Sequence, residues 1–234
     1  MMNLTIFKYA MMRGIKNPMS IILNSVAPIG LTVLAGRISM FGAPYIELYL
    51  IGFMVMFGAF MMAGSIQKDK TEGVLTRILA GPVTLRSYLV QNFFAAMVPM
   101  MIVSAVIALL GFVIHDWSLT LCLGLFLVYI FLSATSIGLS FAWSCLFKDK
   151  EASMSGISLF LTFSALVGGF MIPLAVLPDP IFYLGMLFPA HWASRGIEQV
   201  VVYGEFTGMF GLSLVALTGF AAALLLYGSK RRLV

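Results

Sequence analysis

The chain has 234 residues, of which 61% are hydrophobic and only 10% are charged. A soluble domain carries about 25% charged residues, so this chain has too much apolar surface for a soluble protein, and too much for a disordered one. Its apolar runs are long and unbroken, unlike the short alternating strands of an outer-membrane barrel. Because only helices and closed barrels satisfy their backbone hydrogen bonds in lipid, the composition predicts an all-α polytopic membrane protein.

Residues 1–17 predict an amphipathic helix that lies in the membrane interface. Its apolar positions share one face of a helix over residues 3–17: Leu4, Phe7, Met11 and Ile15. Pro18 ends this helix and begins span 1, residues 18–36. A cleaved signal peptide is the alternative, but its apolar region is usually about 7–15 residues long and an A-x-A-like site follows it. Span 1 is longer and lacks that site, so we interpret it as a retained span.

Five further apolar stretches complete a predicted bundle of six transmembrane helices. They are residues 45–66, 88–114, 119–146, 154–177 and 208–228. A single transmembrane domain would therefore cover residues 1–234, with the six-span bundle at 18–228 and a tail at 229–234. The segment 178–207 is too apolar for a free outer loop, and we expect it to form re-entrant outer helices between spans 5 and 6, buried in protein.

The distribution of positive charge predicts the orientation. Twelve of the 14 Lys and Arg residues fall in the terminal segments and in the links after spans 2 and 4, which leaves only Arg37 and Arg195 on the other side. By the positive-inside rule both termini are cytoplasmic in a multi-pass protein of the cell membrane. The formal net charge of +5 therefore reflects topology, and no nucleic-acid partner is expected.

The cytoplasmic link after span 2 predicts a short amphipathic helix. Asp69 or Thr71 would cap its start, Glu72 in the first turn would suit the helix dipole, and Gly81-Pro82 would end it. Thr84 would cap the next helix. The apolar positions of the short helix share one face: Leu75, Ile78 and Leu79. On these grounds alone, that face would pack on a partner, on lipid headgroups or on the N-terminal helix.

One string in this link resembles a family signature. Residues 72–82 read Glu-Gly-Val-Leu-Thr-Arg-Ile-Leu-Ala-Gly-Pro, which is similar to the E-x-G-T-L-E-R-L-L-A-T-P-type signature of ABC-2-type permeases, the membrane subunits of one class of ATP-binding-cassette exporter. Val74 and Gly81 depart from it, since the family often has Thr at both. The resemblance extends over nearly the whole chain, including residues 168–178 at the end of span 5 and residues 188–198 after it.

The resemblance implies that this helix is a coupling helix that docks on a separate nucleotide-binding subunit. The residues that it assigns to coupling are Glu72, Gly73, Leu75, Arg77, Ile78, Leu79 and Pro82. It implies two copies of that ATPase subunit and a second permease copy, identical or paralogous, so that the permease works as a dimer. The chain has no G-x-x-x-x-G-K-[ST] loop. We therefore expect MgATP on the partner, and no catalytic, cofactor-binding or metal residues here.

The resemblance also implies that spans 2 and 5 face a central substrate path. The aromatic residues that it nominates are Phe53, Phe57, Phe60, Phe160, Phe163 and Phe170. The simpler interpretation is that these rings form ordinary lipid-facing or helix-packing surface. An adaptable stripe of Met and aromatic side chains would suit efflux of an amphiphilic small molecule, drug or antimicrobial peptide, as in drug resistance.

Two alternatives stay open beside drug efflux, and two others lack support in the sequence. The same machinery would also export lipid or a lipid-linked saccharide, since span 5 carries several hydroxyl side chains. A non-transporting membrane immunity or scaffold protein would not need the coupling helix. No polar cluster supports an intramembrane enzyme, and no acidic residue at mid-span supports an ion-driven carrier.

Overall fold

The computed structural model describes residues 5–16, 18–35, 45–147 and 150–230, and no strand occurs among them. Their helices, with our labels, are α1 Thr5–Lys16, α2 Pro18–Leu34 with a π-helical turn at Ile22–Val26, α3 Ile46–Ala63, α4 Ser65–Thr71, α5 Val74–Leu79, α6 Leu85–His115, α7 Leu119–Leu146, α8 Lys150–Val167, α9 Asp179–Gly185, α10 Pro189–Glu198 and α11 Gly208–Lys230. Several residues of the predicted scheme lie outside the described part of the chain, namely Leu4, Arg37, Lys148, Asp149 and 231–234.

Four of these helices are long and apolar enough to cross a membrane. They are Ile46–Thr71, which runs through α3 and α4, together with α6, α7 and Gly208–Ser229 of α11. Helices α1 and α2, which meet at 75°, make a fifth candidate if the bent pair is one span. The described residues therefore provide four or five candidate spans, and six are not confirmed.

The predicted fifth span, residues 154–177, is wrong as a continuous helix because α8 ends at Val167. Gly169 follows with φ +95°, a left-handed conformation that glycine adopts readily, and a short 3-10 turn forms at Leu174–Val176. The apolar helix Glu151–Val167 is about 25 Å long, shorter than a hydrocarbon core of roughly 30 Å. The apolar run continues beyond Val167, but the helix does not.

Helix α7 lies at the centre of the bundle and packs on α3, α6, α10 and α11. The buried Tyr129 hydroxyl donates to the Leu48 carbonyl of α3 at 2.8 Å, and Thr135 Oγ1 donates to the Leu217 carbonyl of α11 at 3.0 Å. Small residues let helices approach closely, as expected in lipid. A Cβ atom on Gly58 of α3 would lie 2.9 Å from the Cα atom of Asn24 in α2.

The segment between α8 and α11 folds back on the bundle. Helix α10 packs on α3, α7, α8 and α11, and its Ala190, Ala193 and Ile197 are completely buried. The segment is therefore not a free loop, in agreement with its apolar sequence. That these helices are re-entrant from the outer side stays a prediction.

Candidate functional site

The link between α3 and α6 folds as two short helices. Helix α4 follows α3 directly in the same long helical segment. Helix α5 starts only after Gly73, whose φ of +70° again favours glycine. Glu72 therefore stands at the end of α4, where its N–H donates to the Lys68 carbonyl, and its predicted place in the first turn of the coupling helix is wrong. The predicted cap of the next helix is confirmed: Thr84 Oγ1 accepts from the Ser87 N–H at 3.3 Å.

The apolar face of α5 packs inside this chain. Leu75 is only 1% exposed and lies in an apolar cluster, which we call the anchor cluster. Its buried members are Ala59, Met62, Ala63, Ile66, Leu75, Tyr88, Leu89, Ala96, Met97, Met100, Ile137 and Phe141, and Ile78 and Leu79 pack against them. The coupling residues left exposed are Glu72, Arg77 and Pro82.

A buried polar cluster ties three helices together beside α5. Asp69 of α4 has a side chain only 3% exposed, and its carboxylate pairs with the Arg13 guanidinium of α1. The Tyr88 hydroxyl of α6 donates to the same carboxylate at 2.5 Å. Asp69 is therefore an internal acceptor and not the predicted helix cap. One sign in the sequence indicated that Asp69 is buried: it follows Ile66 by three residues, so both lie on one face of α4, and that face is buried.

A second set of contacts fixes α4 to the end of α7. Lys70 Nζ donates to the carbonyls of Ser144 and Phe147 at 2.8 and 3.4 Å, and Gln67 Nε2 donates to the Phe147 carbonyl at 3.3 Å. The last carbonyls of a helix carry partial negative charge and favour a cation. The link is thus attached to α1, α6 and α7.

The nominated substrate-path rings differ in burial, and all of them except Phe163 lie in or against one apolar core cluster. In α3, Phe53 and Phe57 are half-buried with ring centroids 6.0 Å apart, whereas Phe60 is buried in the core. In the second nominated segment Phe160 is half-buried, Phe170 is completely buried after the end of α8, and Phe163 is 47% exposed.

Phe188 contacts both nominated rings of α8, although the sequence did not nominate it as a substrate-path residue. The centroids of Phe160 and Phe163 lie 5.7 and 5.6 Å from that of Phe188. Its position directly before Pro189, where α10 begins, gave no sign of this contact. Within the described residues, no ring contact joins the α3 rings to those of α8.

A cavity of about 200 Å³ adjoins Phe170 and is also lined by Ile46, Tyr49 and Glu198. Glu198 pairs with Arg195 at 3.4 Å. His191 lies in α10, outside the candidate spans. Burial, and to a smaller extent the positive charge of Arg195, lowers the pKa of His191 to about 4, so the imidazole is neutral at pH 7.

The fold, with its four or five apolar candidate spans, defines a helical multi-pass membrane protein. A family model described as ABC-2 family transporter protein matches residues 4–230. The chain therefore belongs to the ABC-2 transporter family. No curated protein matches the chain. Membership implies a permease component of an ATP-binding-cassette transporter, with a separate ATP-binding-cassette partner.

Proposed function

We propose that the chain is the permease subunit of an ATP-driven exporter. It would move an amphiphilic small molecule, drug or antimicrobial peptide out of the cytoplasm or inner leaflet, and MgATP would be hydrolysed on the partner. Family membership supports the permease role. The observation that carries coupling is the attachment of α4 to α1, α6 and α7 through Asp69 and Lys70, because a force applied at α5 would move these helices together.

The proposed assembly contains two permease copies, identical or paralogous, and two ATPase subunits, with both termini in the cytoplasm of the cell membrane. The surface of α8 favours the proposal that a second permease copy faces this helix. Its exposed side chains include both hydroxyl and apolar groups: Ser155, Leu159, Thr162, Phe163 and Leu166. Hydroxyl groups in lipid are unfavourable without partners, so a protein neighbour or a polar path suits this face better than lipid tails.

The proposed docking face for the ATPase subunit is the polar side of the link. Arg77 of α5 is exposed and has no ion-pair partner among the described residues, and Lys8 and Lys16 of α1 are exposed on the neighbouring helix. Charge complementarity then favours an acidic surface on the partner. Leu75 and Ile78, on the opposite side of α5, would hold this face in position by packing on the anchor cluster.

We expect Arg77→Glu to weaken association with the ATPase subunit by about ten-fold or more, because like charges facing each other across an interface are strongly unfavourable. The chain would be tagged, purified from its native host in mild detergent, and the bound ATPase quantified and assayed. Arg77→Lys keeps the charge and is the matched control. Equal recovery of the ATPase with Arg77→Glu and Arg77→Lys would place the docking face elsewhere.

We expect Phe163→Ala to reduce export of an amphiphilic dye several-fold without changing expression, because it removes an exposed ring from the proposed path. Phe57→Ala combined with it should reduce export further. Phe112→Ala is the control, since Phe112 is an exposed ring on α6, a helix not assigned to the path. The same export rate in the α8 and α6 variants would contradict the path assignment.

A second candidate is export of lipid or a lipid-linked saccharide by the same machinery. The exposed Ser155 and Thr162 beside Phe163 on α8 favour it, because a saccharide needs hydrogen-bonding groups along its path. Stimulation of ATP hydrolysis by each class of cargo in the purified complex separates the two. Recovery of the chain without any ATPase under several mild conditions would instead favour a non-transporting immunity or scaffold protein.

A further inference from the structure

A groove runs along the outside of the bundle between the start of α6 and the end of α11. It has a volume of about 300 Å³, and its apolar lining includes Val90, Phe93, Phe94 and Leu226. Three of these side chains are exposed, namely Val90, Phe94 and Leu226. The groove is separate from the nominated substrate path, which none of its lining residues belongs to.

The groove has a cation at one end. Arg86 lines it together with Ser229, and Arg86 is exposed with no ion-pair partner among the described residues. No acidic side chain is found in the described lining. In the sequence, Lys230, Arg231 and Arg232 directly follow Ser229. An anion that entered this end of the groove would meet positive charge and no repulsion.

The depth of the groove corresponds to one leaflet. Arg86 and Phe94 lie on the same helix, and the eight residue steps from one to the other correspond to a rise of about 12 Å. That distance is less than half of a hydrocarbon core of roughly 30 Å. The basic residues place this end of α6 and α11 on the cytoplasmic side, where the leaflet carries anionic lipids.

We propose that this groove binds one anionic phospholipid of the cytoplasmic leaflet. Its phosphate lies at Arg86, and an acyl chain follows Val90, Phe94 and Leu226. The floor of the groove is formed by Leu89 of the anchor cluster, with Phe93 and Leu225 packed against that cluster. The bound lipid therefore supports, from the lipid side, the same apolar contacts that hold Leu75. Binding itself does not depend on the proposed transport function.

The test is a native mass spectrometry titration of the purified full chain with dioleoyl phosphatidylglycerol or dioleoyl phosphatidylcholine. These lipids share their acyl chains and differ in headgroup charge. We expect tighter binding of phosphatidylglycerol, and an approximately five-fold loss of its affinity in Arg86→Gln, the loss expected when one cation near an anionic headgroup is removed. Val90→Trp fills the groove and should abolish binding of the first phosphatidylglycerol molecule.

Two control variants make the result specific to this groove. Arg86→Lys keeps the charge, and Arg77→Gln removes an exposed cation from α5, outside the groove. Both should bind phosphatidylglycerol within about two-fold of the unchanged chain, since neither removes the charge at Arg86. Equal affinities for the two lipids, or equal losses in Arg86→Gln and Arg77→Gln, would overturn the proposal. So would a shift from dimer to monomer by light scattering in Val90→Trp with unchanged lipid binding, because a second copy would then occupy the groove.

Discussion

Leu75→Asp is expected to lower the free energy of unfolding by more than about 4 kcal/mol, enough to prevent stable packing of α5. The side chain is 1% exposed and belongs to the anchor cluster, together with Ala59, Ile66 and Tyr88. A carboxylate placed there would lose its hydration among apolar side chains. The effect is measured as the yield of monodisperse protein and as the thermal midpoint in detergent.

Thr76→Asp is the matched control, because Thr76 is the next residue of α5 and is exposed. It should change the free energy of unfolding by no more than about 0.5 kcal/mol. A Leu75→Asp chain that is as stable as Thr76→Asp would show that Leu75 is not buried in the working protein. With the expected outcome, loss of ATPase association in Leu75→Asp reports the loss of folded α5, and only Arg77→Glu tests the docking face.

Asp69→Ala is expected to lower the free energy of unfolding by about 3 kcal/mol. Removing the carboxylate leaves the buried Tyr88 hydroxyl without its acceptor, which costs about 1–3 kcal/mol, and leaves the Arg13 guanidinium unpaired. Arg13 is 38% exposed, so water compensates part of that second loss. Thermal unfolding of the purified chain in detergent measures the total.

A double-mutant cycle with Arg13→Leu would isolate the contribution of the ion pair. The control is Glu72→Ala, which removes an exposed carboxylate 3.8 Å from Lys68. Exposed pairs of this kind contribute about 0.3–0.5 kcal/mol. If Asp69→Ala destabilised the chain no more than Glu72→Ala does, the cluster at Asp69 would not hold α1, α4 and α6 together.

Four of the predicted spans lie close to helices of the structure, because each is a long apolar run whose ends carry polar or turn residues. The predicted and observed ranges are 45–66 and Ile46–Ala63, 88–114 and Leu85–His115, 119–146 and Leu119–Leu146, and 208–228 and Gly208–Lys230. Their start and end signals are local, as the Thr84 and Ser118 caps of α6 and α7 show.

The end of α8 could not be predicted in the same way because it depends on distant packing. The sequence stays apolar beyond Val167, and the run suggested a helix to residue 177. At Gly168 a Cβ atom would lie 2.5 Å from the Cβ atom of Ala190 and 2.8 Å from the backbone nitrogen of His191. Helix α10 therefore packs directly against Gly168. Only the packing of α10 on the end of α8 explains why Gly168 and Gly169 occur at this position.

The short helix of the link was predicted, but its start and its packing were not. Turn residues and the 3–4 spacing located the short helix, whose bounds are Val74–Leu79. An apolar stripe does not identify what covers it. Here Leu75 of the stripe is buried in one cluster with Ala63 of the chain's own α3 and Tyr88 of α6. The role of Asp69 was missed because its position shortly before the amphipathic stretch suggested a helix cap, whereas its partners Arg13 and Tyr88 are distant in the sequence.

The attachment of α4 at Asp69 and Lys70 has a consequence for the thermodynamics of assembly. A flexible loop must lose conformational entropy when a partner binds it, and that loss reduces the affinity. Here the link is already ordered by contacts to the ends of three other helices. A partner that binds at Arg77 therefore meets a preorganised surface, so more of the interaction energy at this interface remains available for affinity.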